Sequence, residues 1–163
     1  MTDAAPAIFV ALEQSGFGAA IRRSAWLYPA ANIGHIVALV FFVGAVAVMD
    51  VRLLGGFAAT AAGPLLARAR WFAVAALAGM AMTGFVLFSA EASHLAVNPV
   101  FQLKLALIGA GLLNVALYEF IAKREVDKLP PGAAMPSRVR MAGLLSLMIW
   151  VAVAACGRSI AYF

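Results

Sequence analysis

Charge is what this chain has least of. Of its 163 residues, 12% are Asp, Glu, Lys or Arg, against 65% that are hydrophobic. A soluble domain carries about twice that share of charge. There is too little polar surface to cover a soluble fold of this size, which excludes an ordinary cytosolic enzyme. Cysteine is nearly missing as well: Cys156 stands alone, so there is neither a disulfide framework nor a Cys-rich metal site. Histidine occurs twice, and neither HExxH nor CxxCH is present, which removes a zinc-protease helix and covalent haem attachment. Disorder is excluded because it requires low hydrophobicity. The formal charge of +5 does not indicate nucleic acid, since the basic residues sit between apolar runs.

What the chain does have is four long apolar stretches. Ile33 to Met49, Trp71 to Ala90 and Met141 to Gly157 carry no charge, and Leu105 to Tyr118 extends to Pro99–Ile121 with its charges near the ends. A membrane helix needs roughly 17–25 such residues. The expected fold is all-α, a polytopic four-helix membrane bundle over residues 30–163 with spans at about 33–52, 71–92, 99–121 and 138–161. Asn98-Pro99 reads as a cap followed by a proline at the first helical position, and Ser137 after Pro136 is expected to do the same for the last span. Residues 1–29 lack the basic start of a secretory signal. Ile8, Phe9, Leu12, Phe17 and Ile21 instead suggest an amphipathic interfacial helix that turns at Pro29 into the first span.

Arg52, Arg68, Arg70, Lys123, Arg124, Lys128, Arg138 and Arg140 lie on one side of this arrangement. Arg22, Arg23, Lys104 and Arg158 lie on the other. This bias predicts a multi-pass inner-membrane protein with both long loops in the cytoplasm and both termini outside.

Ionisable residues within spans are costly and point to function. At 1.5 Å of rise per residue, His35, Glu91, Lys104 and Arg158 lie roughly 9–13 Å outward of their span centres, and His94 about 18 Å. Four helices thus contribute to one outer polar layer. His35, His94 and Glu91 form a two-histidine, one-carboxylate set whose residue types suit a transition metal such as Cu, Fe or Zn. Alternatively, the two histidines could be axial ligands to haem b, with Lys104 or Arg158 on a propionate. The bland reading has Lys104 and Arg158 snorkelling to headgroups and Glu91 pairing with one of them. On the inner side Asp50, Arg52 and Glu119 sit near helix ends. Asp50 is expected to pair with a basic loop residue or cap backbone groups, and Asn114 to hydrogen-bond across helices.

Ser24-x-Trp26-Leu27-Tyr28-Pro29, His35, Asp50-Val51-Arg52-Leu53-Leu54-Gly55, Asn98-Pro99-x-Phe101-x-x-Lys104, Asn114 and Gly157-Arg158 together form a familiar pattern. On these residues the chain resembles an uncharacterised family of small four-helix bacterial inner-membrane proteins, over nearly its whole length. Its layout is also similar, through helix number and a histidine near a helix start, to the copper-resistance D membrane domain and to b-type cytochromes. The first resemblance marks His35, Asp50, Arg52, Asn98, Pro99, Lys104 and Arg158 as positions to watch. The expectation is a haem- or metal-binding membrane protein, in electron transfer with a membrane redox partner or as a homo-oligomer. Its alternatives are a non-catalytic scaffold or subunit without cofactor, and a small-solute or metal-ion transporter. The lipid bilayer is the expected environment in every case.

Overall fold

The computed structural model describes residues 5–162, so the first four residues of the expected N-terminal element, and Phe163, lie outside the described residues. Two short helices, α1 (Ala7–Gln14) and α2 (Gly16–Arg23), precede the long helix α3 (Leu27–Leu53). Then follow α4 (Ala62–Ala90), α5 (Ala92–Val97), α6 (Pro99–Ile121), α7 (Lys123–Val126), α8 (Ser137–Ser159) and a terminal 3₁₀ turn, Ile160–Tyr162. Among the described residues, helices α3, α4, α6 and α8 are the four long and apolar enough to cross a membrane.

Their surfaces are those of a membrane protein. Val40, Phe41, Trp71, Phe85 and Phe120 are all exposed, and a soluble monomer does not sustain an apolar surface so continuous. The buried core is correspondingly slim and built on small residues. One part lies at the end bearing the α3–α4 loop and the α6–α8 connector (the basic end), around Met49, Leu66, Tyr118, Val126 and Val139. A second lies around Phe42, Ile149, Trp150 and Val153.

Helices α3 and α4 pack along each other as one antiparallel hairpin, and α6 and α8 as another. The hairpins meet along α3 and α8, while the backbones of α4 and α6 scarcely approach. Side chains bridge that last gap at its two ends: Phe88 stacks on Phe101 with ring centroids 5.4 Å apart, and Arg70 pairs with Glu119 at 2.6 Å.

Several boundaries differ from those the hydropathy suggests. The first span begins at Leu27 and contains Pro29 in its opening turn, where a missing N–H is harmless. The chain turns earlier, where the Ser24 hydroxyl accepts from the Trp26 and Leu27 amides. Helix α4 begins at Ala62, so Arg68 and Arg70 stand on the helix and not in the loop. Asn98 caps α6, its Oδ1 accepting from Val100 and Phe101 at 2.9 and 3.1 Å. Ser137 makes no such bond. Pro136 holds the cap position of α8, without a side-chain hydrogen bond.

The single interfacial helix expected at the N-terminus is two helices, because Ser15 breaks it and caps α2 through Gly18 N–H. They close over the end of the bundle opposite the basic one. Glu13 accepts from the Ser93 amide at 2.8 Å and from its hydroxyl, and Arg22 donates to the Ala90 carbonyl at 3.0 Å. Phe9 meets Phe88 edge-on, with ring centroids 5.7 Å apart. Helix α2 crosses α4 at Gly18, where a Cβ would lie 2.8 Å from the Ser89 carbonyl oxygen.

Gly18→Val should therefore push α2 off α4 at a cost of about 1–3 kcal/mol. The four spans stay intact. Hydrogen exchange confined to α1, α2 and α5 is the expected readout. The bonds from Ser93 hold the Glu13 carboxyl below its ordinary value of 4.5. A carboxylate with a lowered folded pKa adds stability above its unfolded pKa, and that stability is lost as pH falls through the folded value. A spin-label pair at Ala11 and Ala96, in a protein with Cys156 replaced by serine, should give a single short distance at neutral pH. The distance should broaden as pH falls from the ordinary carboxylate value through the lowered folded one, and in Glu13→Gln it should be broad already at neutral pH.

Candidate functional site

The outer polar layer foreseen from the sequence is spread out in the structure. His35, half-buried on α3, has its Nδ1 2.9 Å from Thr83 Oγ1 on α4, and Thr83 in turn donates to the Gly79 carbonyl. Gly84 admits the imidazole, since a Cβ there would lie 3.2 Å from His35 Cε1. Glu91 is exposed at the break between α4 and α5, and His94 is exposed on α5. Among the described residues no three of His, Cys, Asp and Glu come together in a way that could hold a metal ion.

Glu91 does not pair with Lys104 or Arg158. The ion pairs among the described residues are Arg70–Glu119, Lys123–Asp127 and Arg138–Glu125. The helix breaks at Glu91, with φ −140° and ψ 35°, which takes the carboxylate out of register with the next span. Lys104 is half-buried against Gly157. Arg158 donates to the Tyr162 hydroxyl at 2.6 Å and lies over its ring, 4.9 Å from the centroid.

The basic half of the bundle holds the more unusual chemistry. A cavity of about 90 Å³ lies between the two hairpins, lined by all four spans. Most of its wall is aliphatic, and six polar-bearing residues interrupt it: Asp50, Arg70, Asn114, Tyr118, Ser146 and Trp150. Asp50 is 3% exposed and has no cation within salt-bridge distance. Its Oδ2, the Tyr118 hydroxyl and Trp150 Nε1 are buried without a hydrogen-bond partner in the protein. Each such atom costs about 1–3 kcal/mol if left bare.

The expected pairing of Asp50 with a basic loop residue is therefore corrected, and the reason is geometric. Arg52 is two positions along the helix and faces another way. It is 1% exposed and folds into the α3–α4 loop, donating to the Thr60 carbonyl at 3.2 Å and the Gly56 carbonyl at 3.5 Å. Arg70 is held by Glu119. Ser146 on α8 stands beside the Asp50 carboxylate across the helix contact.

The remaining walls are set by close approach. Asn114 Nδ2 donates to the Ala142 carbonyl at 3.0 Å, the cross-helix bond its residue type suggests. At Gly111 a Cβ would come 2.8 Å from the Trp150 ring, so only glycine lets α6 close on that side chain. Phe42 meets Trp150 edge-on at 4.6 Å and closes the cavity toward the far end of the bundle.

Tyr118, Ser146 and Trp150 are residues that reading the sequence for charge passes over. Their signal is that Tyr and Trp carry a polar handle that seeks a partner once buried. Here Trp150 lies near the middle of α8 and Tyr118 in the last turn of α6, both buried.

The profile of a family of unknown function, DUF6644, matches residues 14–163. Neither a curated protein nor a solved structure matches the chain. With four apolar spans, and with all but its first thirteen residues inside the match, the chain belongs to the DUF6644 family.

Proposed function

We propose that this protein is a non-catalytic binding or transport component of the inner membrane, whose cavity beside Asp50 holds a small hydrogen-bonding solute. The observation that carries this reading is the convergence of an unpaired, buried carboxylate with two further unpartnered polar groups on one cavity. Three such atoms on one cavity call for a partner that can hydrogen-bond to them. The space of about 90 Å³ corresponds to roughly three water molecules, so the solute, or the part of it that enters, is small. Asp50 Oδ2 accepts, Trp150 Nε1–H donates, and Tyr118 does either. In the orientation supported by the basic-residue bias, the cavity lies in the cytoplasmic half of the bilayer.

The same reading explains why nearby residues are arranged at some expense. The Arg70–Glu119 pair keeps a guanidinium away from Asp50 and leaves the carboxylate free to meet a solute. Haem or metal binding at the outer layer would rest on His35 with ligands from a partner, because His94 and Glu91 are exposed elsewhere.

Trp150 reports directly on the site. In a protein with Trp26 and Trp71 replaced by phenylalanine, the emission of Trp150 should shift saturably with one class of small solute, tested from alcohols to amides and methylammonium. Asp50→Asn should abolish the shift. Tyr118→Phe should weaken it while raising thermal stability by about 1–3 kcal/mol, because it removes an unpartnered buried hydroxyl. An emission indifferent to every solute would sink the proposal. A Soret band in the purified protein that disappears with His35→Ala would move the function to the other end of the bundle.

A further inference from the structure

We propose that the solute is a lipid-soluble amphiphile with a hydroxyl head, reaching the cavity sideways from the hydrocarbon through a window between α4 and α6. This rests on the solute-binding reading above and names the class of molecule and its route.

The window follows from how the hairpins pack. Helices α4 and α6 are the one pair of adjacent spans whose backbones scarcely approach, and their bridging contacts lie at the two ends, Phe88 with Phe101 and Arg70 with Glu119. Between those ends, Val74 of α4 and Leu112 of α6 both line the cavity, yet they are 61% and 46% exposed. A side chain that is at once cavity wall and outer surface marks an opening. Val74 lies roughly 18 Å along α4, and Leu112 roughly 20 Å along α6. Counted from the Arg70–Glu119 bridge they are roughly 6 Å and 10 Å into the spans, so the opening faces acyl chains in the basic half of the bundle.

Toward the two ends of the bundle larger side-chain contacts stand over the cavity. Toward the basic end the Arg70–Glu119 pair and the buried Met49 and Leu53 cover the cavity. Toward the opposite end the Phe42–Trp150 contact does.

The route selects the chemistry. A solute arriving through hydrocarbon must be uncharged, because an ion pays too much to be there. Among neutral heads a hydroxyl is the smallest that donates and accepts together. It can give its proton to Asp50 Oδ2 while accepting from Trp150 Nε1–H or Tyr118. The cavity admits the head and little more, which leaves an alkyl tail lying in the window against Val74 and Leu112.

The test uses the full chain in lipid nanodiscs and a diazirine-bearing octan-1-ol as photolabel. Peptides carrying Leu112, Val74 and Ser146 should be labelled, with competition by octan-1-ol and none by octane. Asp50→Asn should reduce the labelling about tenfold, the scale of one or two lost buried hydrogen bonds. Leu112→Trp and, from the opposite lip, Val74→Trp fill the window from exposed positions that tolerate bulk, and each should abolish labelling at Ser146. Full labelling at Ser146 in both plugged variants, still sensitive to Asp50→Asn, would overturn the lateral route while leaving solute binding at Asp50 standing. Labelling competed equally by octane, or unchanged in Asp50→Asn, would overturn recognition of a hydroxyl head. If the Trp150 emission also ignores every small polar solute, the underlying binding reading fails with it.

Discussion

Hydrocarbon offers no hydrogen bonds, and that constraint governs every polar group in this protein. Outside the bundle the spans meet it by carrying almost nothing but aliphatic and aromatic side chains. Inside, each polar atom must find a partner across a helix contact, and most do. Asn114 reaches the Ala142 carbonyl, His35 meets Thr83, Ser89 bonds back to Phe85 in its own helix, and Arg70 holds Glu119. Buried atoms without a partner also occur on Arg52, Arg70, Asn98 and Glu119; what marks Asp50, Tyr118 and Trp150 is that all three line one cavity.

The same constraint accounts for the architecture around the site. Two helical hairpins that join along α3 and α8 leave the α4–α6 side to be closed by side chains alone. The Phe88–Phe101 and Arg70–Glu119 contacts join the helices at the two ends of that side. Small residues then decide which surfaces close: Gly111 lets Trp150 press against α6, and Gly143 brings α8 against the end of α3, where a Cβ would come 3.0 Å from Leu53 Cβ. The cavity is what remains where no small residue and no large side chain completes the contact.

The two ends of the bundle are secured by different means. At the basic end Arg52 is buried among loop carbonyls, and Gly132 N–H donates to the Ala58 carbonyl at 2.7 Å, tying the connector of one hairpin to the loop of the other. Gly55, at φ 108°, supplies the left-handed residue that lets α3 end there. At the opposite end α1 and α2 dock through Glu13, Arg22 and a run of aromatic contacts. The first closure combines backbone carbonyls with the ion pairs of Glu119, Glu125 and Asp127. The second depends on a carboxylate.

Length and hydropathy alone determined the number of membrane spans, because burial in lipid is a property of each segment by itself. The Asn98-Pro99 cap was legible for the same reason, since a cap is made by neighbours in the chain. The faces of the spans were not legible. Helices apolar all round carry no amphipathic signal to say which side meets a neighbour, so the sequence drew attention to the charged outer layer and assigned Asp50 to a loop partner. A single break at Glu91 was enough to take Glu91 and His94 out of that outer layer, and a rotation setting Arg52 toward the loop left Asp50 facing Ser146 and the cavity. Only the tertiary structure decided this, because the direction of a side chain in a uniformly apolar helix is set by the packing of the other three.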